Sequence, residues 1–92
     1  MREADPATQR AVLNRLKRAR GQLDGVIAAV EGGGSCRDVV TQLAAVSTAL
    51  DRAGFAIVST AMKVCVTDPD QAAAVEDGLT TEELEKLFLS LS

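Results

Sequence analysis

Apolar residues recur early in the chain at Leu13, Leu16, Leu23, Ile27 and Val30. These steps of three, four and seven place one stripe on one face of a helix. Asp5-Pro6 predicts where that helix opens, with a carboxylate to accept from the first turn and a proline whose missing N–H is not needed there. Gly32-Gly33-Gly34 predicts where it stops, since three glycines make the helical state costly in backbone entropy and supply a left-handed end. Ser35-Cys36-Arg37-Asp38 has the form of a capping box and starts a second helix, which places Cys36 in its first turn. Val39, Val40, Leu43, Val46, Leu50, Ile57, Val58 and Val64 then hold the helical period to about Val66, with Gly54 read as a close-packing point rather than a stop.

Past that helix, Asp68-Pro69 opens a further helical turn or two that Gly78 closes, and Thr80-Thr81-Glu82-Glu83 offers another capping box before Leu84, Leu87, Phe88 and Leu91. No segment alternates with period two for long enough to make a strand. The expectation is an all-α fold in a single domain over residues 1–92, a three-helix protomer. Two long helices and a short tail leave too much apolar stripe for a monomer to cover. An antiparallel dimeric bundle, assembling further into a tetramer, is the expected solution.

Charge adds a direction to this picture. The net charge of −3 over 92 residues argues by itself against a nucleic-acid partner. Its distribution reverses that reading, because Arg10, Arg15, Lys17, Arg18 and Arg20 follow one another without an acid, whereas Asp68, Asp70, Glu76, Asp77, Glu82, Glu83 and Glu85 face only Lys86. A basic first helix repeated by oligomerisation would present Arg15, Lys17 and Arg18 to the phosphates of duplex DNA. With only 2 Phe and no Trp or Tyr the chain lacks stacking platforms for single strands. Neither a secretory leader nor a membrane-spanning run is expected, so the protein is placed in the cytoplasm, away from membranes.

In that compartment a lasting structural disulfide is unexpected, and a pair of thiols more often binds metal or senses redox state. Cys36 and Cys65 lie 29 positions apart, about 43 Å along one helix, so they cannot meet within a chain. Two copies of the helix packed antiparallel would bring Cys36 of one protomer beside Cys65 of the other. A structural zinc site would need four ligands and a nucleophilic Cys enzyme would need a histidine base. The chain has no histidine, and no enzyme activity or resident cofactor is expected. Two buried, merely structural cysteines are the plain alternative. Cys36 beside Arg37 at the positive end of a helix is instead placed where a thiolate is favoured, which suits an attacking thiol, with Cys65 as the resolving one.

The segment Arg15-Leu16-Lys17-Arg18-Ala19-Arg20-Gly21-Gln22-Leu23-Asp24-Gly25, followed by Cys36-Arg37-Asp38, Gln42-Leu43-Ala44-Ala45-Val46 and Cys65, resembles the CsoR/RcnR repressors over most of residues 10–66. The resemblance implies a three-helix protomer, an antiparallel dimer, a disc-like tetramer, and binding to double-stranded operator DNA that ends when an inducer occupies the cysteine site. It also implies that Arg52, at a family DNA-contact position, joins the first-helix cations. Copper-sensing members complete their Cu(I) site with a histidine where this chain has Ala61, and they tend to carry a tyrosine where it has Ser35. With both cysteines kept and the histidine gone, the chain is similar to the persulfide-sensing branch, which implies a repressor induced by reactive sulfur species. The alternative is a Cu(I) sensor using Cys36, Cys65 and the thioether of Met62, three residues before Cys65 and so on nearly the same face.

Overall fold

The computed structural model describes residues 4–67 and 80–91, and three helices run through them: α1 (Pro6–Glu31), α2 (Cys36–Thr67) and α3 (Thr81–Leu91). No strand occurs among the described residues. Each helix begins where a local acceptor side chain makes beginning favourable. Asp5 takes the Thr8 backbone N–H on Oδ1 at 2.8 Å and the Thr8 hydroxyl on Oδ2 at 3.0 Å, with Pro6 first in the helix. Those two bonds hold the Asp5 carboxyl below its ordinary value of 3.8, so the cap is complete above that pH and is lost as acid protonates it. Ser35 Oγ accepts from the Asp38 N–H at 3.1 Å to open α2. At α3 the capping box closes in both directions, with the Glu83 N–H on Thr80 Oγ1 at 3.2 Å and the Thr80 N–H on Glu83 Oε1 at 3.4 Å. The turn expected at Asp68-Pro69 and its closure at Gly78 lie outside the described residues.

The glycine run ends α1 as a Schellman turn. Gly34 N–H reaches back to the Ala29 carbonyl oxygen at 2.7 Å and Gly33 N–H to that of Val30 at 3.2 Å. Gly33 carries the left-handed φ of 72° that this ending requires. The chain then turns back, and α1 and α2 pack antiparallel. Their closest approach includes Gly25, where an added Cβ would stand 3.3 Å from Gln42 Oε1. Val12 and Ala19 on α1, and Val46 and Ala53 on α2, are the buried residues of this hairpin. Each pair is spaced by seven, two helical turns, so the seam runs straight along both helices. Leu84 is the buried residue of α3, which packs on α2.

Small residues make up half of that seam, so it leaves most of the apolar surface uncovered. Leu13, Leu23 and Ile27 on α1 and Leu43 and Leu50 on α2 remain about half exposed, as do Leu87 and Phe88 on α3. Fully burying a side chain of this size contributes roughly 1.5–3 kcal/mol. Gly54 does not stop α2, as expected, and among the described residues nothing outside the helix's own backbone lies within 4 Å of the position its Cβ would take. It lies about 100° round α2 from the buried Ala53, off the seam with α1.

Candidate nucleic-acid groove and thiol face

The antiparallel pairing of α1 and α2 creates a groove along one edge of the hairpin. Ala11, Asn14, Arg15, Arg18 and Gln22 line it from α1, and Ala45, Thr48, Ala49 and Arg52 from α2, around an open volume of about 740 Å³. The α1 residues recur at three- and four-residue steps and therefore form one stripe. Alanines on both walls keep the floor shallow and leave the long side chains to define the rim. Arg15, Arg18 and Arg52 converge here from two helices, and no carboxylate is among the lining residues. None of the three makes an ion pair among the described residues. Three guanidinium groups on a concave strip, with no ion pair among the described residues, have the chemistry to bind phosphates, which guanidinium takes with paired N–H donors.

Lys17, expected with these arginines, is outside the lining. One residue before Arg18 on a helix, it stands about 100° round α1 and faces away from the groove. Asn14 and Gln22 do line the groove, although neither was singled out from the sequence; the spacing of four residues that each has from Arg18 is the signal that marks them.

The cysteines occupy the other side of α2. Cys36 is its first residue and is exposed. Cys65 falls in its last turn. The helix is unbroken between them in a molecule 52 Å along its longest axis, so the two positions stand at opposite ends. At about 100° per residue they are nevertheless only about 20° apart around the helix. Val40, Leu43, Leu50, Gly54 and Ala61 belong to the same strip, whose large members are the exposed ones. Arg52 is about 160° round from Cys36, so one helix carries the thiol face on one side and the groove on the other. Met62 is about half exposed and stands one turn before Cys65.

No group of three or more His, Cys, Asp and Glu is gathered among the described residues in a way that could hold a metal ion, and no described helix is long and apolar enough to cross a membrane.

Several known proteins are similar to this chain in sequence. The family model for metal-sensitive transcriptional repressors matches residues 8–90. The copper-sensing transcriptional repressor CsoR of Mycobacterium ulcerans is 40% identical over 80 residues, covering 87% of this chain and 64% of that protein. Its namesake in Mycobacterium tuberculosis H37Rv is 39% identical over 75 residues, covering 77% of this chain and 63% of that one. The chain thus spans somewhat less than two thirds of the length of these relatives. YrkD of Bacillus subtilis, a protein named as uncharacterised, is 46% identical over 62 residues, or 67% of this chain and 90% of that protein. No solved structure matches the chain significantly.

Proposed function

Because the chain belongs to the metal-sensitive transcriptional repressors, a family of regulators and not of enzymes, we propose that it is a cytoplasmic DNA-binding repressor freed from its operator by a thiol-reactive inducer. The observation that carries this reading is the division of α2 between two faces, with Arg52 beside Arg15 and Arg18 on one and both cysteine positions on the other. The groove would hold duplex phosphates, with Lys17 adding a more distant charge. The uncovered stripe on α2 would pair antiparallel with its copy, setting Cys36 of one protomer against Cys65 of its partner. Gly54 and Ser47, small residues on this face, let two such helices approach closely. The stripe of Leu13, Leu16, Leu23 and Ile27 on α1 would serve the further association of dimers into a tetramer.

The names of the mycobacterial relatives favour Cu(I) as the inducer. Soft donors suit that ion: Cys36 and Cys65 would hold it across the protomers, with the Met62 thioether as a third donor. A second reading, reactive sulfur, is favoured by the absence of histidine from the chain and by Ala61 one turn before Cys65. Two thiols suffice for it. One thiolate takes the outer sulfur of a persulfide and releases the parent thiol, after which the second thiolate displaces hydrosulfide and closes a disulfide.

The two inducers leave different products on the protein. Intact mass and DNA release are measured after Cu(I) and, separately, after polysulfide. One retained copper per protomer with release establishes the copper sensor; a covalent disulfide-linked dimer with release, and no retained metal, establishes the sulfur sensor. Release by neither, from a protein that binds DNA, refutes a sensing role for the thiols.

A further inference from the structure

The groove contains two groups that charge alone does not explain. Asn14 and Gln22 sit on the same edge of α1 as Arg15 and Arg18, one before and one after them. Both are exposed, and neither amide has a hydrogen-bond partner among the described residues. They are eight residues apart, about 12 Å along the helix axis. The other polar lining residue, Thr48, already donates its hydroxyl to the Ala44 carbonyl oxygen at 3.2 Å. The two carboxamides are therefore the neutral hydrogen-bonding groups that the groove holds ready.

Resting on the DNA-binding reading above, we propose that Asn14 and Gln22 supply the sequence preference of the interface by pairing with base edges, while Arg15, Arg18 and Arg52 hold phosphates. A phosphate oxygen only accepts, so a guanidinium with its several N–H donors satisfies it completely. A carboxamide presents a donor and an acceptor side by side, and against a phosphate its carbonyl oxygen would be idle. The groups in a duplex that offer both partners together are base edges, and adenine, with N7 accepting and N6 donating in the major groove, is the one Asn and Gln match with two bonds. Laid along the duplex, amides about 12 Å apart address base pairs three to four steps apart, at about 3.4 Å per step. Arg15 and Arg18 fall between them, where the intervening backbone runs.

The test uses a duplex recovered by the full chain from a random pool, and a scrambled duplex of the same composition. Dissociation constants are measured for the unaltered protein, Asn14→Ala, Gln22→Ala and the Arg15→Ala/Arg18→Ala double variant across a series of salt concentrations. Alanine favours a helix more than either amide residue, so the folded helix is retained, and circular dichroism checks it. Each amide variant should lose about 5- to 150-fold on the recovered duplex, keep its affinity for the scrambled one, and leave the salt slope unchanged. Equal losses on both duplexes, or no loss on the recovered one, overturn the assignment. If the arginine double variant also binds both duplexes as well as the unaltered protein, the groove is not the DNA site and the underlying reading fails with it. If only the amide variants are silent, that reading stands and this inference alone falls.

Discussion

Replacing Arg15 and Arg18 together by alanine tests the groove through a quantity that counts charges. Each phosphate neutralised on duplex DNA contributes about −0.9 to the slope of log affinity against log salt. Three arginines line the groove, so each engaged groove should contribute about −2.7, and raising salt from about 50 to about 200 mM should weaken binding about 40-fold per groove. The double variant keeps Arg52 alone, for which the same change predicts a loss of about 3.5-fold. An assembly that lays several grooves on DNA multiplies these factors and widens the difference. Fluorescence anisotropy of a labelled duplex, read at five or six salt concentrations, gives both slopes directly. Lys17→Ala is the internal control: this side chain has the same charge but stands about 100° away from Arg18 around α1, so its removal should change the slope by less than removal of either arginine. A double variant whose slope equals that of the parent protein, or a Lys17 variant that flattens it as much as Arg15→Ala, would refute the groove as the phosphate site.

Two further outcomes follow from the helix ends and faces. Cys36→Ser and Cys65→Ser subunits should each fail to crosslink after polysulfide, while a mixture should form one covalent bridge per heterodimer on a non-reducing gel; heterodimers that form without a bridge would discard the antiparallel thiol site. Gly33 and Gly21 should respond to alanine with opposite signs. Gly33→Ala forces a side chain into the left-handed region at φ 72° and should lower stability by about 1–2 kcal/mol, whereas Gly21, mid-helix with nothing within 4 Å of its Cβ position, should gain roughly 0.5–1 kcal/mol. Thermal melts at one fixed protein concentration read both, and shifts of the same sign would contradict the turn geometry.

The helix ends were legible in the sequence because each is decided within four residues. Asp5, Ser35 and Thr80 cap where their spacing to Thr8, Asp38 and Glu83 says they should, and the Gly32–Gly34 run closes α1 through bonds to Ala29 and Val30. The grouping of Arg15 with Arg18, and the separation of both from Lys17, was equally available from helical spacing, although charge alone had joined all three. What one helix cannot disclose is its register against another. That Arg52 comes to Arg15 and Arg18, and not to the opposite face, depends on Gly25 meeting Gln42 and on Val46 and Ala53 filling the seam, a long-range fit for which local pattern carries no signal. Gly54 shows the same limit: a glycine inside a helix predicts a close neighbour, yet none stands within 4 Å of its Cβ position among the described residues.

Because α2 is a single uninterrupted helix of 32 residues, it can behave as a shaft that a hand at one side turns and a tool at the other obeys. An atom about 6 Å from the axis travels about 1 Å when such a rod rolls by about 10°. That distance is a third of a hydrogen bond's length, enough to break the contact that Arg52 is proposed to make with a phosphate. On the proposed antiparallel pairing, a bridge or ion drawing the ends of two facing shafts together would not need to touch the groove to turn Arg52. The hydroxyls of Thr41, Thr48, Ser59 and Thr60 each bind the carbonyl oxygen one turn behind them, a pattern that bends helices slightly.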